Sequence, residues 1–223
     1  MMHQRINKKI FVYLFIFISL VTLTNTKLSY DFYKVKEFDI RGLDYEEKEK
    51  INNDLKNFKD INIFTFKKKD FSEIIFSNKI IEDFNIIKIY PSTLKIEIKK
   101  SKFLAFTKKQ GIDYVVLGNG NLLEINERSL NLPFIFGDID VKNFLEFKKL
   151  IEISNLDFTE VENLFYFKSN RWDILTQDGL TLKMPADVTI EKLNFIYKII
   201  NQDKFKDVKT IDFRQNNLMI IND

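Results

Sequence analysis

An uncharged apolar run from Ile10 to Thr26, with Lys8-Lys9 before it and Lys27 after it, constrains this chain more than any other feature. As a helix it would reach about 25 Å, slightly short of a bilayer core of about 30 Å. Snorkelling by the flanking lysines closes that gap. We therefore expect one transmembrane helix over residues 10–28 behind a cytoplasmic tail at 1–9. Arg5, Lys8 and Lys9 hold the N-terminus in the cytoplasm by the positive-inside bias. Tyr30, Phe32 and Tyr33 suit the far interface, or else the first strand. A cleaved signal peptide is the competing reading. It wants a small-residue cleavage site, yet no Ala precedes Ala105 and no Gly precedes Gly42.

With the run on one side, all folding is left to the remaining chain, which has room for one large or two small domains. Composition limits what that part can do. The formal charge of +3 resides in Arg5, Lys8 and Lys9, so the rest is neutral and lacks the basic excess of a nucleic-acid binder. There is no Cys, and the one His is His3. Disulfides, thiolate nucleophiles, zinc–thiolate sites and histidine-based catalysis are excluded from the folded part. A cysteine-free chain also suits an oxidising compartment. No calcium-loop, zincin, nucleophile-elbow or P-loop motif occurs. The 23 Phe beside 6 Gly and two Ala read as the bias of an AT-rich genome, and aromatic richness is no argument for a ligand site.

Residues 34–100 read as a small β-α-α-β-β module. Val35 to Ile40 is a strand closed by Arg41-Gly42. Asp44 with Glu47 makes a capping box, and Ile51, Leu55 and Phe58 follow at helical spacing. Asp70 with Glu73 repeats the box for a second helix faced by Phe71, Ile74 and Ile75. Phe84–Ile89 and Thr93–Ile98 are strands separated by Tyr90-Pro91, with Leu94, Ile96 and Ile98 alternating as a half-buried strand should.

Residues 103–223 read as a mixed β-sheet domain with two helices. Gly118-Asn119-Gly120 joins Tyr114–Leu117 to Leu122–Ile125 as a hairpin, and Asp178-Gly179 joins Arg171–Leu175 to Leu180–Met184. Val141 to Ser154 is an amphipathic helix; Ile190, Leu193, Ile196, Tyr197 and Ile200 mark another. Val208–Phe213, a turn at Asn216-Asn217 and Leu218–Ile221 complete the series. Trp172 shares strand parity with Ile174, which favours core packing over interface anchoring.

The β-α-α-β-β order resembles the POTRA module. With Phe38-x-Ile40-x-Gly42-Leu43 and the Lys88-x-Tyr90-Pro-Ser-Thr-Leu94 turn, it resembles the FtsQ/DivIB family of bacterial division proteins. The later segments are similar to that family's β-domain: Leu132-Pro133 to Gly137, Arg171-Trp172, Asp178-Gly179 and Ile211-Asp-Phe-Arg214. Lys99-Lys100 and Lys102 depart from the acidic-basic pair and proline usual at the junction.

The resemblance implies an α+β fold and a non-catalytic protein of the inner membrane, single-pass, with a cytoplasmic N-terminus and a periplasmic C-terminal part. It implies recruitment of the single-pass proteins FtsB and FtsL to the septum, with no cofactor, no nucleic acid and no small-molecule substrate. An envelope enzyme is disfavoured by the lack of His and Cys. The alternative is a POTRA-type chaperone or assembly factor for exported polypeptides, which normally carries several such modules and a barrel. Through the resemblance, the expected partner-binding residues are Arg171, Arg214, Gln215, Leu218, Met219, Ile220 and Ile221. Arg171 is otherwise a solvated strand charge, and Arg214 is otherwise paired internally with Asp212. Leu218–Ile221 would lie at an open sheet edge that accepts a partner strand; in the plainer reading, Leu218 and Ile220 only close the core.

Overall fold

The computed structural model describes residues 8–23, 33–205, 208–215 and 218–222. Tyr30, Phe32, the Asn216-Asn217 turn and most of the expected cytoplasmic tail lie outside the described residues. Helix α1, Lys8–Leu23, has 16 residues and extends about 24 Å at 1.5 Å per residue. Among the described residues no helix is long and apolar enough to cross a membrane. Of the expected span over 10–28, residues 10–23 are helical and residues 24–28 lie outside the described residues. Its large apolar side chains are exposed along its length, with Phe15 74% accessible.

The chain divides into two compact units. In the first, β1 (Glu37–Arg41), α2 (Tyr45–Asp54), α3 (Lys69–Phe76), β2 (Ile81–Ile89) and β3 (Thr93–Lys100) give the expected order. The sheet runs β1-β3-β2, and β1 is parallel to β3, pairing Phe38 with Leu94 and Ile40 with Ile96. The period-two pattern of β3 thus sends Leu94, Ile96 and Ile98 into the core, where Phe71 meets the edges of Phe38 and Phe58. The Asp44–Glu47 capping box is present, a feature worth about 1 kcal/mol. Its expected repeat is not. Helix α3 starts at Lys69 after Lys68, which offers no side-chain cap, so Asp70 sits within the first turn and accepts from the Lys67 N–H at 3.0 Å. Gly42 has φ of +92°, and a Cβ there would lie 1.9 Å from the Ile98 carbonyl oxygen, so strand β1 can end in this way only on glycine. The Tyr90–Pro91 bond in the β2–β3 turn is cis.

The second unit is one nine-stranded mixed sheet, ordered β12-β11-β10-β9-β8-β7-β4-β5-β6. Its strands are β4 (Phe103–Lys109), β5 (Ile112–Leu117), β6 (Leu122–Glu124), β7 (Phe134–Phe136), β8 (Val161–Phe167), β9 (Arg171–Thr176), β10 (Thr181–Lys183), β11 (Thr210–Asp212) and β12 (Ile220–Asn222). Helices α4 (Val141–Ile153) and α5 (Ile190–Ile200) pack Phe144, Phe147, Ile151, Leu193 and Ile196 into the main core. The register brings Ile135, Leu164, Ile174, Leu182 and Ile211 into one row across β7, β8, β9, β10 and β11 on that buried face. Trp172 is 4% accessible, stacked 5.0 Å from Phe147 with Tyr166 4.7 Å away. It is a core residue, as its parity indicates.

Strands β4 and β8 were not anticipated, for identifiable reasons. In β4, Ala105, Phe106 and Thr107 are buried consecutively, because Ala105 faces the main core while Phe106 joins Val115 and Leu117 in a smaller one. A strand covered on both faces has no alternation to read. In β8 the register slips between Val161 and Asn163, a bulge that breaks the period of two.

Candidate functional site

The sheet ends at β12, which pairs on one side with β11 through Thr210–Asn222, Ile211–Ile221 and Asp212–Ile220. Among the described residues no strand lies on its other side. Because side chains alternate, Ile221 shares the helix-covered face with Ile211, while Ile220 shares the opposite face with Asp212. Met219, of the same parity as Ile221, packs against the main core. The residues that help close the core here are therefore not Leu218 and Ile220, which are both exposed.

On the helical face, α5 and the segment before β12 leave a groove of about 340 Å³ lined by Pro185, Lys192, Phe195, Ile196, Phe213, Gln215, Leu218 and Met219. Phe195 and Leu218 stand at 56% and 53% accessibility. Two large apolar side chains held in water beside an unpaired backbone edge are an unusual arrangement for a protein without a partner.

The opposite face carries charge in register. Asp173 on β9, Lys183 on β10 and Asp212 on β11 are direct neighbours, followed outward by Ile220. Arg214 donates from its Nε to both Asp212 carboxylate oxygens at 2.9 and 2.8 Å, and its backbone N–H donates to the same group at 2.9 Å. This fork, with Lys183 adding to it, holds the Asp212 carboxyl below the usual range. The Arg214 side chain remains 44% accessible. Arg171 is held differently. Its guanidinium lies 4.0 Å over the Phe167 ring, and Nε is 3.3 Å from Asp173 Oδ1 without an aligned hydrogen bond. Burial is the larger influence on Asp173 and pushes its carboxyl up, against the attraction of Arg171.

The structure thus brings Arg214, Gln215, Leu218, Met219, Ile220 and Ile221 together around one edge and places Arg171 on β9, three strands inward from β12, on the open face. Both arginines are already paired within the chain. Phe195, Phe213, Lys183 and Asp173 were missed by sequence reasoning. Phe195 carried a signal, as an apolar residue off the inward face of its helix; the charge row needs the register and had none. Among the described residues, no group of three or more His, Cys, Asp or Glu side chains is placed to hold a metal.

Residues 33–100 match the family model described as POTRA domain, FtsQ-type, and residues 105–214 match cell division protein FtsQ/DivIB, C-terminal. The chain belongs to the FtsQ/DivIB family. The match to the FtsQ/DivIB C-terminal model covers every strand of the second sheet from β4's core to β11, and it stops at Arg214. DivIB of Clostridium botulinum is 27% identical over 229 residues, covering 92% of this chain and 86% of that protein. DivIB of Staphylococcus aureus is 28% identical over 181 residues, covering 78% of this chain and 41% of that one. FtsQ of Bradyrhizobium diazoefficiens is 24% identical over 153 residues, or 65% and 44%. The chain thus spans less than half of the staphylococcal and bradyrhizobial FtsQ/DivIB proteins. The solved extracytoplasmic domain of DivIB from Geobacillus stearothermophilus aligns with 46% of this chain, covering 92% of that domain, at 15% identity and a TM-score of 0.35.

Proposed function

We propose that this chain is a non-catalytic assembly protein of the bacterial division septum that captures a partner segment along β12. The observation that carries this reading is the unpaired outer edge of β12 beside the exposed Phe195 and Leu218. A strand laid against that edge satisfies its free backbone groups and sends alternate side chains to the groove and to the charged face. FtsB, acting with FtsL, is the partner this reading names, bridging early and late division proteins. Arg171, Arg214, Gln215, Leu218, Met219, Ile220 and Ile221 form its contact set. Each arginine brings its own carboxylate, so an acidic partner would share or displace Asp173 and Asp212 rather than meet a bare cation. The N-terminal run serves as a single inner-membrane anchor with both units outside, and Lys8 and Lys9 remain at the cytoplasmic surface.

The test uses two prolines. Backbone N–H groups of successive strand residues point to opposite edges, so of Ile220 and Ile221 one donates toward β11 and the other outward. In the full chain, one of Ile220→Pro and Ile221→Pro should weaken binding of the FtsB extracytoplasmic segment by about tenfold or more, while circular dichroism stays native. If both variants titrate like the wild type, strand addition at this edge is wrong.

A further inference from the structure

At one end of the first unit, three aromatic side chains collect where nothing in the core requires them. Phe64 and Tyr90 stack with ring centroids 5.1 Å apart, and Tyr33 meets Phe64 edge-on at 4.9 Å. Phe64 and Tyr90 are 54% and 55% accessible. The loop that presents Phe64 is held in place: Lys88 donates through Nζ to the carbonyls of Phe64 and Phe66 at 3.3 and 3.1 Å, and the Ile63 N–H donates to the Tyr33 carbonyl at 2.9 Å. The topology explains the location. Strand β1 starts beside the β2–β3 turn, where the Lys36 N–H donates to the Ser92 carbonyl, so this is the end at which the chain arrives from α1.

We propose that this end of the unit is a membrane contact, with Tyr33, Phe64 and Tyr90 seated in the headgroup region of the bilayer that holds α1. The inference rests on the anchor proposed above. Leu23, the last residue of α1, and Tyr33 are ten positions apart in sequence, so the chain between them cannot exceed about 33–36 Å. That tether keeps the aromatic cluster close to any membrane α1 enters, at high effective concentration. The chemistry matches an interface: Tyr and Phe rings with apolar bodies, two of them with polar tips, are what the lipid–water boundary favours. Exposed lysines and carboxylates alternate in the neighbouring segments, with Lys36 beside Glu37, Lys59 beside Asp60 and Asp70 accepting from the Lys67 N–H, so the aromatic side chains rather than net charge carry the contact.

The chain has no cysteine, so single labels can be placed anywhere. The full chain is reconstituted into vesicles of equal parts phosphatidylcholine and phosphatidylglycerol containing nitroxide lipids. An environment-sensitive fluorophore is attached at Thr65→Cys beside the cluster, at Glu46→Cys at the opposite end of β1, or at Ile16→Cys within α1. We expect the label at 16 to be quenched by deep nitroxides, the label at 65 by shallow ones, and the label at 46 by neither. Adding Phe64→Ser with Tyr90→Ser should bring quenching at 65 down to the level at 46, whereas Phe64→Trp should preserve it. If 16 is quenched but 65 behaves like 46, the anchor stands and this inference is overturned. If 16 is not quenched, the anchor reading fails and takes this one with it. A label at 65 that is shielded from aqueous quencher without any lipid quenching marks a protein contact, such as a second copy, and also overturns it.

Discussion

Asp212 and Asp173 sit in register on either side of Lys183, yet their surroundings drive them in opposite directions. Asp212 is held low chiefly by its hydrogen bonds from Arg214; Asp173 is pushed up chiefly by burial. The sign for stability follows. A carboxyl with a lowered folded pKa contributes stability that is complete above the unfolded value of about 3.9 and is lost as pH falls through the lowered one. Asp173 works in reverse: the folded state takes up its proton first, so its charged form is a penalty at neutral pH that eases on acidification. Asp212→Asn should therefore be less stable than the wild type at neutral pH, and the gap should narrow as the solution is taken below the ordinary aspartate pKa. Urea midpoints measured from neutral to acid conditions check this; a gap that does not change with pH would show that the ionised fork with Arg214 is not the source of the loss.

Among the elements, the short strands at the middle of the second sheet depend on one backbone approach. Gly137 follows β7 at φ of +106°, and a Cβ there would lie 2.3 Å from the Tyr166 carbonyl on β8. A side chain at that point forces apart the end of β7 and the β8 backbone it approaches, where the two are paired through Phe136 and Phe165. Gly137→Ala should cost about 1–3 kcal/mol through overpacking and a disfavoured backbone. Gly111, in the β4–β5 turn, also has positive φ but nothing within 4 Å of a Cβ, so Gly111→Ala isolates the backbone contribution alone. Denaturant unfolding of the two variants compares them directly, and equal losses would mean that the close approach to Tyr166 is not what fixes Gly137. The same reasoning about close edges applies to β12. Three residues are too few to hold an edge by themselves, so its order depends on its pairing with β11 and on Met219 packed against the core.

At the scale of the whole molecule, the two units offer different surfaces. The first carries aromatic side chains at the end nearest α1 in sequence, and the second carries an unpaired edge. If the first unit positions the protein and the second captures the partner, the tasks are separable. Replacing residues 34–100 with an unrelated module of similar size should disperse a fluorescent N-terminal fusion from midcell while FtsB binding by the second unit survives. A chimera that still forms a midcell band would remove localisation from the first unit.

Local chemistry alone made much of this fold legible. The capping box at Asp44, the alternation in β3, the Asp178-Gly179 hairpin and the two amphipathic helices are written in adjacent residues, because capping, pleat and turn geometry act over a few positions. The burial of Trp172 was readable from the parity of its strand for the same reason. What the sequence could not contain is what depends on residues far apart. Strand β4 is buried on both faces and β8 is bulged, so neither shows a period. Helix α3 begins at Lys69, so Asp70 falls inside its first turn rather than at its N-cap. The candidate site divides along the same line. The family likeness points to the residues around β12 and to an edge strand there, but not to which face each side chain takes. That Asp173, Lys183 and Asp212 form one row, and that Met219 rather than Leu218 packs against the core, follow from sheet register; the Arg214–Asp212 pair is local, two residues apart, and was readable as an alternative. Register is fixed only when distant strands pair, since a shift of one residue would exchange the two faces.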